Sequence, residues 1–215
     1  ASNEARKSPW QTYTFRQVAS PDTTTPYWNE FLFGFLDDGE VLIDDVSVVA
    51  DPGGANTQLI QNGSFQSDSI GQTPSKWRIM GTHQGTVVTD PADPNNKVLH
   101  LVAYGPTDEN HNKAETTFIG DTKIVNGTEY QFTFRAKWLT GSRKLNTRLY
   151  LSRVAKTFTL DAPSDNGTPG LPNSMMETNV GPTYRQFQHE PLIPEADAEV
   201  TVTVKAEDPD SVSSM

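Results

Sequence analysis

The chain has 215 residues, with 17 Lys and Arg against 27 Asp and Glu, a net charge of -10, and no cysteine. Without cysteine it has neither a disulfide scaffold nor a thiolate metal site, and its acidity argues against a nucleic-acid-binding surface. No stretch approaches the roughly 18 apolar residues of a membrane span, so neither a nucleic-acid partner nor membrane insertion is expected.

Alternation of apolar and polar residues recurs along the chain and predicts an all-β fold. In chain order, the main strand candidates are 10–18, 31–36, 39–49, 83–90, 98–104, 129–138, 146–152 and 199–206. The clearest is EYQFTFRAKW at 129–138, where Phe132, Phe134 and Trp138 fall on one predicted buried face. Gly, Asn and Asp turns separate the strands, and this pattern favours an antiparallel β-sandwich or jelly roll.

Composition divides the chain into five parts. Residues 1–50 end on strands, 51–57 form a Gly/Pro/Asn linker, 58–163 contain further strands, 164–183 are loop-rich, and 184–215 begin another β-domain. Residues 1–50 have closing strands without opening ones, whereas 58–163 have the reverse. Because unpaired edges are unfavourable, we expect the two parts to pair in one sandwich. The alternative is that 1–50 is the end of an upstream module.

Two adjacent aspartates, Asp44 and Asp45, interrupt the strand GEVLIDDVSVV at 39–49. The apolar residues occupy odd positions before this pair and even positions after it, which predicts a β-bulge. A bulge frees backbone carbonyls and turns both carboxylates outward, and calcium prefers such oxygen ligands. The sequence therefore predicts a structural calcium ion here. The alternative is that both carboxylates are simply solvated.

A second group of polar and aromatic residues is expected on one outward sheet face, opposite the apolar strand faces. Forked donors, carboxylates and planar rings are the groups that bind sugar hydroxyls and C–H surfaces, so this face is a candidate glycan site. The alternative is an ordinary solvated face of an antiparallel sheet. The predicted members are His100, Glu115, Arg135, Lys137, Asn146, Arg148 and Tyr150.

The sequence contains two further candidate sites. Tyr27 and Trp28 form a candidate aromatic platform for a sugar ring. A zinc site is the weaker hypothesis, because no close ligand spacing supports it; it would use His83, His100, His111 and Glu115.

No nucleophile elbow, phosphate loop, dinucleotide fingerprint or His-Glu-x-x-His motif is present, so we expect a non-catalytic protein. A glycosidase carboxylate pair stays open, since only spatial separation defines it.

The segment NTQLIQNGSFQSDSIGQTPSKWRIMG at 56–81 and the strand GEVLIDDVSVV resemble the opening and closing strands of carbohydrate-binding modules of families four and nine. The stretches at 99–118, 134–154 and 166–174 are similar to a segment of large exported bacterial proteins that carry such modules beside lamin-tail and CotH-like kinase domains. Residues 181–212 resemble the start of the immunoglobulin-like domain that follows in those proteins.

This resemblance implies a galactose-binding-like jelly roll followed by the start of an immunoglobulin-like domain. It implies a piece of a longer secreted or cell-surface protein, with neighbouring domains of that chain and a polysaccharide or cell-surface glycan as partners. It also implies a calcium ion between the first and last strands, where Gln66 replaces the usual Glu. The alternatives are a structural spacer without a ligand, or an accessory module of an enzyme or kinase whose catalytic domain lies outside the chain.

Overall fold

The computed structural model describes residues 8–21, 28–162, 183–190, 197 and 199–207. Within these ranges the chain forms strands and short 3-10 turns, and no helix there has the length and apolarity that a membrane span requires. The strands are β1 (Gln11–Val18), β2 (Glu30–Phe35), β3 (Gly39–Ala50), β4 (Thr57–Gln58), β5 (Trp77–Met80), β6 (His83–Asp90), β7 (Asp93–Ala103), β8 (Lys113–Thr117), β9 (Glu129–Gly141), β10 (Lys144–Leu149), β11 (Ala155–Thr159), β12 (Thr183–Glu190) and β13 (Thr201–Glu207).

Two antiparallel sheets contain the first eleven strands. Sheet A has the order β1-β9-β3-β7-β6, with β4 paired to β3, and sheet B has the order β11-β10-β2-β8-β5. The central strands β2 and β3 come from the first fifty residues, and both pair with strands of the 58–163 segment. The pairing expected from the two incomplete halves is therefore present.

The inner faces of the two sheets enclose one apolar core, as in a β-sandwich. Phe31 of β2 contacts Phe132 of β9 with ring centroids 5.1 Å apart, which joins sheet B to sheet A. Phe132 and Phe134 are buried, as their alternation predicts. Trp138 differs from the prediction because it is only half-buried at the edge of this core, where a register shift precedes its pairing with Val41.

The predicted bulge lies in β3, where the register with β9 shifts between Asp44 and Ser47. Asp45 adopts a φ of 51°, in the left-handed region that Asp and Asn tolerate better than other residues. Only its side chain turns to solvent. Asp44 also lies on the outer face of the sheet, where it lines a pocket, but it is only 2 % exposed and is therefore not solvated as Asp45 is. The bulge lets Val46 and Val48 return to the core face after the change in parity.

The compact unit Ala1–Pro163 contains both sheets, and a separate unit, Ser164–Met215, contains a hairpin of β12 and β13. The hairpin register shifts between Arg185 and Gln188. Most of the loop-rich segment 164–183 lies outside the described residues. The immunoglobulin-like assignment of the last part stays a prediction.

Candidate ligand-binding pocket

A pocket opens on the outer face of sheet A, between the β3 bulge and the turn that joins β6 to β7. Its volume is about 550 Å³, within the size range of small-ligand sites. It brings together Asp44, Asp45 and Gln66, which the sequence predicts as metal ligands, and Arg135, which it predicts as a glycan ligand. The lining residues are Trp10, Asp44, Asp45, Ser64, Gln66, Asp90, Ala92, Asp93, Asn95, Asn96 and Arg135.

Two buried carboxylates, Asp44 and Asp90, lie beneath the pocket and are held by neutral donors. The side-chain amide of Asn96 donates to Asp44 Oδ2 at 3.0 Å and to Asp90 Oδ2 at 3.4 Å. Trp10 Nε1 donates to Asp90 Oδ1 at 3.3 Å. Burial raises the pKa of Asp44 above its ordinary value, against the opposing effect of the Asn96 hydrogen bond and the Arg135 charge.

Arg135 forms one wall of the pocket. Its Nη1 lies 3.4 Å from Asp45 Oδ2 and 3.7 Å from Asp44 Oδ2, and its guanidinium stacks over the Trp10 ring at 4.9 Å from the centroid. This cation–π contact and the two ion pairs orient the side chain, which is still 35 % exposed. Arg135 points outward because its strand neighbours, Phe134 and Ala136, are buried in the core.

The rim consists of exposed side chains. Asp45 is 55 % exposed, and Asp93 and Asn95 are exposed at the start of β7. The Asp93 carboxylate accepts the Asn95 backbone N–H at 2.9 Å, within the first residues of this strand. Gln66 belongs to the wall: its amide donates to Ser64 O at 2.9 Å, and its carbonyl accepts from the Lys97 backbone at 3.2 Å.

The aspartates predicted as calcium ligands already have protein partners in this arrangement. Asp44 Oδ1 accepts the Asp45 N–H at 2.8 Å, and Oδ2 accepts from Asn96. Arg135 supplies the positive charge that the aspartate pair was expected to draw from a cation. Among the described residues, no group of three or more His, Cys, Asp or Glu side chains could hold a metal ion. Calcium and zinc therefore stay predictions from sequence.

The predicted glycan face is divided between the two sheets. His100 and Lys137 lie with Arg135 on the outer face of sheet A, where both oppose Leu42 of β3. His100 Nε2 is 3.0 Å from Glu40 Oε2. Lys137 is buried, so it is not an exposed donor as expected. Neither residue lines the pocket.

Of the other four residues, Glu115, Asn146 and Arg148 lie on sheet B, and Tyr150 lies in the 3-10 turn that follows β10. The prediction that Arg148 shares a face with His100 and Arg135 is therefore wrong. Glu115 pairs with Lys113 and Arg78 at 2.8 and 2.7 Å. Arg148 is buried, donates to Asn146 Oδ1 at 2.6 Å and to Thr107 Oγ1 at 3.2 Å, and is covered by the loop after β7. These contacts bind the sheet to its loop and leave Arg148 inaccessible to a glycan.

The aromatic platform also differs from its prediction. Trp28 stacks on Tyr150 with ring centroids 4.0 Å apart, and Lys113 Nζ lies 5.2 Å from the Tyr150 centroid on that side of sheet B. Both rings therefore pack within the protein beside the core. Tyr27, the other half of the predicted platform, lies outside the described residues.

Sequence reasoning missed Trp10, Asp90 and Asn96 as pocket residues. Asp90 and Asn96 are the first and last residues of the segment DPADPNN, whose composition signals only a turn. Asn96 contributes to the pocket by its hydrogen bond to Asp44, 52 positions away in the sequence. Asp90 does so by its hydrogen bond from Trp10, 80 positions away. No local signal encodes such contacts.

Comparisons with protein-family models, curated proteins and solved structures gave no match to this chain. A functional proposal therefore depends on the chemistry of the pocket.

Proposed function

We propose that the chain is a non-catalytic carbohydrate-binding or adhesion module of a large extracellular multidomain protein, built on a galactose-binding-like jelly roll. The proposal is supported by one observation: an indole, a guanidinium, side-chain amides and carboxylates converge on a single open pocket of about 550 Å³. The proposed partner is a polysaccharide or a cell-surface glycan.

The chemistry of these groups matches that of a sugar. A pyranose presents hydroxyls that both donate and accept hydrogen bonds. The exposed carboxylates of Asp45 and Asp93 accept such bonds, the Arg135 fork donates, and the Asn95 amide does both. The edge of Trp10 contributes apolar surface for C–H groups. A lining this polar suits a hydroxyl-rich ligand better than an apolar one.

The arrangement supports binding more than catalysis. The two deepest carboxylates, Asp44 and Asp90, already accept hydrogen bonds from Asn96, and Asp44 is also within ion-pair distance of Arg135. A general acid or base needs a proton in reach of the reacting atom, whereas these groups are committed to holding the pocket together. We therefore propose recognition and retention of a glycan, without bond cleavage.

The proposal is tested by a glycan array and by sedimentation with insoluble polysaccharides, followed by calorimetry on the best ligand. Asn95→Ala removes an exposed pocket amide without leaving a buried cavity, and we expect it to weaken binding by roughly fivefold, the value of about one hydrogen bond. Asn110→Ala is the matched control, because Asn110 is exposed in the loop between β7 and β8 and does not line the pocket.

Loss of affinity in Asn95→Ala alone supports the pocket as the site. Equal affinity of both variants and the wild type would place the glycan elsewhere on the chain. If no polysaccharide binds at all, the structural spacer without a ligand becomes the better account. Thermal unfolding of each variant confirms that the comparison is made between folded proteins.

A further inference from the structure

We propose that this pocket selects sugars that carry a free amine over neutral sugars of the same length, and that it rejects sugars that carry a carboxylate. This inference rests on the proposed function, because it names the class of glycan that the pocket accepts. It follows from the balance of charge around the cavity.

Four carboxylates and one guanidinium line the cavity. Arg135 lies within ion-pair distance of both Asp44 and Asp45, so its charge is already compensated. Within the described part of the chain, neither Asp90 nor Asp93 has a lysine or arginine at ion-pair distance. Their hydrogen-bond donors are neutral groups. The pocket therefore has an excess of negative charge.

The accessible part of this charge lies at the rim. Asp45 is exposed on the β3 bulge and Asp93 at the start of β7, and both line the pocket. A protonated amine has three N–H donors and no acceptor, so it can donate to either carboxylate while neighbouring hydroxyls bond to Asn95 and Arg135. A neutral amide in the same place loses the charge, and a carboxylate would meet like charges.

Arg135 does not make the binding of an acidic sugar favourable. To bind a ligand carboxylate, its guanidinium would have to leave Asp45 at 3.4 Å and Asp44 at 3.7 Å. Asp44 is buried, and a buried carboxylate that loses its partner is costly. The ion pairs that orient Arg135 thus also disfavour an anionic ligand. This repulsion contributes to the specificity of the pocket.

The test compares four hexasaccharides by calorimetry at about pH 6, where the amine is protonated. The probes are glucosamine hexamer, N-acetylglucosamine hexamer, cellohexaose and galacturonate hexamer. We expect the glucosamine hexamer to bind roughly fivefold or more tighter than the N-acetylated one. This preference should shrink when salt rises from about 0.05 to about 0.5 M, because screening shortens the reach of exposed charges.

The double variant Asp45→Asn, Asp93→Asn identifies the groups responsible. Asn tolerates the backbone conformation of residue 45 and can still accept the Asn95 N–H at residue 93, so folding is retained. We expect the ratio of amine to N-acetyl affinity to fall toward one. The double variant Asp37→Asn, Asp38→Asn is the matched control, since both residues are exposed and lie outside the pocket and it removes the same two charges; it should leave the ratio unchanged.

The outcomes separate the two proposals. Binding of neutral hexamers with no preference for the amine overturns the charge inference and leaves glycan binding intact. An equal fall of the ratio in the control variant would assign the preference to the net charge of the whole chain and would also overturn it. Tighter binding of the galacturonate hexamer contradicts it directly. If no hexamer binds, the charge inference fails, and the glycan array decides the proposed function separately.

Discussion

At the residue scale, aromatic contacts in the core link the edge strands β1 and β11 to strand β9. Phe134 packs against Tyr13 at 5.4 Å and Phe158 at 5.2 Å between ring centroids, and it is 2 % exposed. Phe134→Ala should lower the free energy of unfolding by roughly 3–5 kcal/mol, through lost burial and a residual cavity. Urea unfolding measures this. Thr133→Ala, on the outer face of the same strand, is the control; a loss below about 1 kcal/mol in Phe134→Ala would contradict the face assignment.

His83 gives the fold a pH dependence. It is buried, and burial lowers its pKa to about 4, with a smaller contribution from the Arg148 charge. Its Nε2 accepts the Phe35 backbone N–H at 3.0 Å, so that nitrogen carries no proton. Gly34 permits this approach, because a Cβ there would lie 2.7 Å from Nε2.

In the unfolded chain the pKa of His83 returns to about 6.5. Between about pH 4 and pH 6.5 the unfolded state therefore binds more protons than the folded state. The contribution of His83 to the free energy of unfolding is fully present above about pH 6.5 and is lost as the pH drops toward 4, by about 3 kcal/mol in total. Urea unfolding across this range should show a steeper pH dependence for the wild type than for His83→Gln, whose carbonyl can still accept the Phe35 N–H. Parallel curves would show that His83 does not titrate in this way.

Arg135 bears on the calcium prediction. Because it supplies the counter-charge at Asp44 and Asp45, we expect the melting temperature to be the same in EDTA and in millimolar calcium. A ligand that binds only the folded state at a hundredfold excess over Kd would add about 2.7 kcal/mol, which calorimetry detects readily. A calcium-dependent rise that disappears in Asp45→Ala would restore the prediction made from sequence.

At the element scale, the two strands from the first fifty residues hold the sandwich together. Sheet A needs β3 between β9 and β7, and sheet B needs β2 between β10 and β8. Removing residues 1–50 would leave unpaired edges and an uncovered core in both sheets. We expect the remaining chain to show no cooperative thermal unfolding by circular dichroism. A cooperative transition at the wild-type temperature would instead favour two independent modules.

At the scale of the whole molecule, every residue of the main described core lies within the unit Ala1–Pro163. A chain that ends at residue 163 should therefore unfold cooperatively at the temperature of the corresponding transition in the full chain. Differential scanning calorimetry of the two proteins measures this. A large drop in the melting temperature would show that residues 164–215 stabilise the sandwich through contacts that the described residues do not include.

The sequence alone determined the properties that depend on neighbouring residues. The alternation in 129–138 specifies the buried faces of Phe132 and Phe134, and the parity change around Asp44 specifies the bulge. Both follow from the two-residue period of a strand, which is local. The need to pair unpartnered edges also indicated that the first fifty residues complete the sandwich.

Only the tertiary structure decided which polar residues meet. Arg135 and Arg148 are both outward-facing residues of neighbouring strands in sequence, yet β9 belongs to sheet A and β10 to sheet B. The chain crosses between sheets at a short turn, and alternation carries no information about such a crossing. The pocket likewise depends on Trp10 and Asn96 reaching Asp90 and Asp44 across long sequence separations. These contacts are set by strand order and sheet packing, which arise from the whole core and not from any single segment.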